Sequence, residues 1–207
     1  MISEPPSAGV VRRARRPAGW SAPGPPPAGA TDAGRLGPRP GEDLCYLAGD
    51  WRILQRLDGQ RWSLDDLVTA WCAAEQMPAS VLDLGCGIGA VLMLLAWRWP
   101  RVRAVGIEAY CLAAARWLAP GGRFVACAAA AQVRRVAEAA AAAGLHLTRR
   151  LDVIPRAGKP ALFSVHTMRA GRGGGEPALD PPLVVRDAAG RRTPMFRALR
   201  ARMGMPP

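Results

Sequence analysis

A chain of 207 residues makes one ordinary domain with extensions, and its 50% apolar and 21% charged residues are those of a soluble globular protein. Twenty-eight basic residues against 16 acidic ones give a net charge of +12; Lys159 is the single Lys, and alongside so much Ala and Gly the Arg excess matches a GC-rich coding sequence, so charge leaves a nucleic-acid partner open without establishing one. The longest apolar run, Ala90 to Trp97, is far short of the roughly 20 residues that span a bilayer, and Pro17 to Pro27 stands where a signal peptide needs an apolar run, which predicts a cytoplasmic protein with no membrane partner.

Residues 1–42 hold nine Pro, six Arg and no apolar periodicity, so a disordered tail is expected. The next unit, 43–78, combines a hairpin and a helix. Arg52 to Leu57, Asp58-Gly59 and Gln60 to Trp62 read as the hairpin, because Asp-Gly accepts the positive φ of a tight primed turn. Ser63-x-x-Asp66 is an acidic variant of the capping box, and Leu64, Leu67, Val68 and Trp71 follow at helical spacing before Pro78.

The core, 79–168, opens with a short buried strand, Val81 to Leu84. A Gly-rich turn follows, then a helix from Ala90 to Trp99 stopped by Pro100, then a strand from Val102 to Ile107 ending in Glu108. A helix from Tyr110 to Leu118 and the turn Ala119-Pro120-Gly121-Gly122 lead into a strand from Arg123 to Cys127. An Ala-rich helix from about Ala129 to Ala143 has Gly144 at its C-terminal cap. Leu145 to Ile154 and Ala161 to Thr167 are strands. A Gly/Pro linker, 169–182, precedes a final unit, 183–207, with a strand at Leu183 to Arg186 and a basic helix from Pro194 to Met203.

Cys45, Cys72, Cys86, Cys111 and Cys127 are odd in number and widely spaced. With only His146 and His166 besides, no metal-ligand spacing exists; reduced, packed thiols and no metal are expected.

The informative stretch is VLDLGCGIGA, residues 81–90. A strand feeding a Gly-rich turn and a helix N-terminus is an anion and nucleotide site, because backbone N–H groups point outward and Gly lets a ligand approach the main chain. Gly85, Gly87 and Ala90 with Glu108 satisfy the spacing of a dinucleotide fingerprint, so spacing alone does not choose the cofactor. Asp83 does. A carboxylate under the turn repels a pyrophosphate but suits a ligand with an ammonium group, such as the methionyl end of S-adenosylmethionine.

VLDLGCGIGA, AVGIEA and WLAPGGRFV together resemble the first, second and fifth strand signatures of class I S-adenosylmethionine-dependent methyltransferases. The flanks ILQRLDGQRWSLDDLVTA, LTRRLDVIPRAGKPALFSVHTMR and PPLVVRDAAGRRTPMFRALRARMG resemble the bacterial tRNA-valine N6-adenine methyltransferase family from Asp43 onward. The resemblance implies S-adenosylmethionine as cofactor and tRNA as partner. Gly85, Gly87 and Gly89 would line the methionyl part, Asp83 would order the turn and face the amino group, and Glu108 would take the ribose hydroxyls.

In that family three helices and two strands, roughly 60 residues at ordinary element lengths, separate the ribose acid from the L-x-P-G-G turn. Here Ala109 to Trp117, nine residues, separate Glu108 from Leu118, and the Asn/Asp-Pro-Pro-aromatic motif is missing, so no catalytic residue is assigned. Asp180-Pro181-Pro182-Leu183 imitates it, but precedes its strand and lacks the aromatic. The expectation is an α/β, Rossmann-like methyltransferase sheet abbreviated by loss of the third and fourth strands, with either a gap between the first and fifth or the fifth moved inward. The competing readings are a non-catalytic S-adenosylmethionine- or RNA-binding remnant and an NAD-binding fragment.

Overall fold

A computed structural model describes residues 9–12, 15–26, 37–84, 86–107, 118–171 and 176–207. Near the N-terminus, β1 (Val10–Val11) pairs in parallel with β2 (Glu42–Ala48), which turns through Gly49-Asp50 into antiparallel β3 (Trp51–Arg56). Gly49 sits at φ +54°, a conformation that favours Gly in the tight turn. The hairpin therefore lies one strand earlier than the sequence predicts. Gln60 to Trp62 form no strand, and Asp58-Gly59 is a bend toward the first helix. The reason is Asp43, whose fully buried carboxylate accepts hydrogen bonds from Arg12 Nε and, at 2.7 Å, from Arg61 Nη2. Burial alone raises the Asp43 carboxyl, but hydrogen bonds from Arg12, Arg61 and Gln55 outweigh it and hold the group below its ordinary value.

The expectation of one disordered tail over 1–42 does not describe residues 9–12 and 15–26. Besides β1, Arg16 Nη2 reaches Asp50 Oδ1 at 2.7 Å, and Trp51 Nε1 donates to the Pro25 carbonyl at 3.1 Å.

Helix α1 (Leu64–Ala73) starts at Ser63, whose backbone N–H donates to Asp66 Oδ2 at 2.8 Å, and buries Leu67, Val68, Ala70 and Cys72. It packs on α2 (Ala90–Arg98) and on β6 (Phe124–Ala129) and β8 (Phe163–Ala170). The strand β4 (Ser80–Leu84) runs into α2 and then into β5 (Arg103–Ile107), its parallel neighbour, with Leu84 opposite Ile107. Leu94, Leu95 and Trp97 fix α2 to the core, each such burial contributing about 1.5–3 kcal/mol.

The remaining sheet contains β7 (Leu145–Ile154) and the short strands β9 (Ala178–Leu179) and β10 (Leu183–Val184), in the order β10-β7-β8-β6, with β9 also pairing β7. Both β6 and β7 are antiparallel to β8. Ala178–Leu179 thus belongs to the sheet, not only to a linker. Helix α3 (Val133–Ala142) follows a single 3-10 turn after β6, and α4 (Pro194–Arg202) is capped by Thr193. The helix expected from Tyr110 to Leu118 falls largely on 110–117, and Cys111 with it, outside the described residues.

One continuous Rossmann-like sheet is not formed. Among the described residues β4 pairs only with β5, and no ladder joins β4 to β6. Between them lies a cleft of about 450 Å³, bordered by Leu82 and Asp83 on one side and Leu118, Phe124 and Val125 on the other. Two outcomes are expected from a missing strand, a gap or an inward slide of β6; among the described residues β6 does not pair with β4. The β4 strand is accordingly not buried as expected: Val81 is half-buried and Leu82 is 37% exposed.

Candidate cofactor site

The turn between β4 and α2 is the one the glycine pattern predicts. Gly89 N donates to Cys86 O at 2.7 Å, and Gly87 and Gly89 take φ of +51° and +77°, where a side chain is strained. Gly89 is the N-cap of α2, and among the described residues no heavy atom beyond its chain neighbours lies within 4 Å of where its Cβ would stand; a helix N-terminus favours anionic groups. The first turn of α2 carries no acidic residue to compete for its N–H groups. Gly85 and Glu108 lie outside the described residues.

Asp83 sits near the end of β4, in register with Gly106 of β5. A residue the sequence marked only as a helix cap feels its charge. Asp66 has its carboxyl pushed up to about 6, by burial first and further by the charges of Asp65 and Asp83, against the lowering effect of the Ser63 N–H. Gln60 is the second residue missed. A Cβ on Gly87 would stand 2.4 Å from Gln60 Nε2, so the Gln60 side chain covers that glycine. The Ser63-x-x-Asp66 box signalled Asp66; nothing local signalled Gln60.

An anionic helix-end ligand group, an ammonium group and a small-residue turn are therefore accommodated together. Gly89 and Asp83 fit the methionyl end of S-adenosylmethionine. Gly87 fits once the flexible end of Gln60 swings aside.

Cys72 and Cys127 have thiols pushed up to about 12, chiefly by burial, and stay protonated at neutral pH. Among the described residues no cluster of three or more His, Cys, Asp or Glu is placed to hold a metal, and no helix is long and apolar enough to cross a membrane. Asp180 is ion-paired with Arg149 at 2.6 Å, and Arg149 also pairs with Glu75, itself 3.6 Å from the cleft-lining Arg123. Asp180 is thus engaged in an ion-pair network.

No family model matches the chain, and no curated protein matches its sequence. Among solved structures, the crystal structure of a predicted O-methyltransferase from Agrobacterium tumefaciens, protein Atu636, is similar to it. The TM-score is 0.51 at 16% identity, covering 69% of this chain and 98% of that one. At such identity the likeness concerns architecture. The chain has a methyltransferase-like α/β fold.

Proposed function

We propose that this chain binds S-adenosylmethionine at the 85–89 turn, that it is built on the plan of the tRNA adenine-N6 methyltransferases, and that as written it does not transfer the methyl group. The observation that carries the reading is the β4–β6 cleft. Asp83 and Val91 of α2 line it on its β4 side, while among the described residues no strand fills the space where the resemblance puts the acceptor-binding segment.

The chemistry explains why half a site is not enough. When bound, S-adenosylmethionine supplies an electrophilic methyl group. The exocyclic amine of adenine is a poor nucleophile because its lone pair is delocalised into the ring. Catalysis needs a side-chain carbonyl and a backbone carbonyl to accept its N–H bonds and an aromatic ring to stack the base. In this chain Asp83 attracts the ammonium group, the N-terminus of α2 accepts a carboxylate, and Glu108 by resemblance takes the ribose. None of these groups reaches for an adenine amine.

Differential scanning fluorimetry tests the cofactor reading. S-adenosylmethionine and S-adenosylhomocysteine are expected to raise the melting temperature, with a dissociation constant nearer about 1 mM than 1 μM because the cleft leaves much of the ligand uncovered. Asp83→Ala abolishes the shift. A larger shift with NAD, or an unchanged shift in Asp83→Ala, would overturn the assignment. Transfer from labelled S-adenosylmethionine to unmodified tRNA is expected to be nil; clear transfer would refute the incomplete site.

A further inference from the structure

Residues 183–207 carry six Arg and one acid, Asp187. That acid is taken by Arg191, whose Nε lies 3.0 Å from Asp187 Oδ2. Arg186 and Arg192 are partners across an antiparallel bridge, so two guanidinium-bearing residues stand directly opposite each other. Like charges so placed are destabilising without a counter-charge, and among the described residues no Asp or Glu forms an ion pair with either. Arg186 Nη1 donates to the Gly190 carbonyl at 2.7 Å and Arg192 Nη1 to the backbone oxygen of Pro207, the last residue of the sequence, at 2.9 Å.

Arg200 of α4 joins them. Its Nε donates to the Pro206 carbonyl at 2.7 Å and its guanidinium lies 5.8 Å from the centre of the Phe196 ring. Burial, then the charge of Arg192, lowers its pKa to about 10, which places the two cations within each other's field. Among the described residues none of these three Arg forms an ion pair with an Asp or Glu. All three line one open depression of about 290 Å³, with Phe196 below and half-buried Trp62 at the wall.

The position is as telling as the charge. The chain leaves β10, which extends β7 in parallel at Val153 and Ile154, and reaches Arg186 just beyond the C-terminal end of β7. That is the end at which α/β sheets hold their ligands. Trp62 is two residues from Gln60, whose side chain covers Gly87, so the depression and the glycine turn share one segment of chain.

We propose that Arg186, Arg192 and Arg200 form an anion subsite for a backbone phosphodiester of RNA, with the Trp62 indole as a stacking wall for the adjoining base. Guanidinium forks match phosphate oxygens in pairs, and an aromatic ring beside them is how unpaired nucleotides are held. The choice of RNA rests on the function proposed above; the demand for an anion rests on three Arg lining one depression, none of them ion-paired with an Asp or Glu.

The test is fluorescence anisotropy with the full chain and a fluorescein-labelled RNA stem-loop bearing an unpaired loop, without S-adenosylmethionine. The double variant Arg186→Ala/Arg192→Ala is expected to weaken binding about tenfold and to reduce the slope of log affinity against log salt by about 1. Arg134→Ala/Arg135→Ala removes the same charge from exposed positions on α3 and is expected to cost less than about threefold. Equal losses in the two doubles, or no binding by the native chain, would overturn the subsite. Should the first double unfold, Arg186→Ala alone decides, with about a threefold loss expected and no loss refuting it. Displacement of the RNA by inorganic phosphate at matched ionic strength would assign the site to a free phosphate instead and overturn the RNA reading. Because no cofactor is present, RNA binding through these Arg together with a missing S-adenosylmethionine shift would remove the cofactor reading and leave this one standing.

Discussion

Gly204→Ala is the perturbation whose magnitude the structure sets most directly. Gly24, Gly49 and Gly204 all press on the Trp97 indole of α2, the helix that begins at the glycine turn. A methyl group on residue 204 would stand 2.2 Å from Trp97 Cζ2 and 2.4 Å from Cη2, where carbon atoms normally keep about 3.5–4.0 Å. The Gly204 carbonyl also accepts from Gly49 N and from the Tyr46 hydroxyl, each at 2.7 Å, so the segment has little freedom to retreat. Residue 204 has φ +70°, a left-handed conformation that costs an L residue about 1–2 kcal/mol, and overpacking adds about 1–3 kcal/mol. A loss of about 2–5 kcal/mol lowers the melting temperature of a chain this size by about 4–20 °C.

Gly144→Ala is the matched control, since Gly144 has the same φ of +70° with nothing within 4 Å of its Cβ position. It is expected to lose only the conformational part, about 1–2 kcal/mol. Thermal denaturation of both variants, with Trp97→Phe as the third corner of a double-mutant cycle against Gly204→Ala, separates the two contributions. Equal melting temperatures for the two glycine variants, with additive behaviour in the cycle, would refute the idea that Trp97 clamps the chain ends onto α2.

Asp43→Asn leaves Arg12 and Arg61 facing a neutral amide and is expected to cost about 1–3 kcal/mol, more than Asp50→Asn, whose parent side chain is 54% exposed; urea titration compares them. Because Asp43 is held below its ordinary carboxylate value, its contribution is present above about pH 4 and is lost as the pH falls through the lower folded value. His166 is fully buried, with burial and the charge of Arg150 depressing its pKa, so it folds neutral while the unfolded chain takes up a proton near its ordinary value. Stability should therefore fall below about pH 6.5, by at most about 1.4 kcal/mol per pH unit, and His166→Met should flatten that limb of the melting-temperature profile. Gly89→Ala places a methyl group at the open face of the α2 N-terminus; a stability loss of about 1–2 kcal/mol with complete loss of the S-adenosylmethionine thermal shift is expected, and a retained shift would move the cofactor elsewhere. Asp180→Ala should cost about 1 kcal/mol through its ion pair with Arg149 and leave methyl transfer to tRNA at zero; activity that depended on Asp180 would contradict its structural role.

The element types of the central chain were readable in advance because they depend on signals a few residues long. Apolar runs bounded by Gly and Pro marked 80–84, 103–107 and 145–154 as strands, Ser63 marked the start of α1, and the positive φ of Gly87 and Gly89 is what a strand-to-helix turn requires. What the tertiary structure decided are contacts between residues far apart in the chain. The true hairpin depends on Arg12 and Arg61 closing on Asp43 from 31 and 18 residues away, so its acidic first strand gives no local sign of being buried. Gln60 over Gly87 and three Gly on Trp97 likewise have no periodicity to announce them. The separate β4–β5 pair is of the same kind: hydrogen-bond ladders form only between strands that packing brings side by side, and α1 packs against both α2 and β6 without a ladder joining β4 to β6 among the described residues.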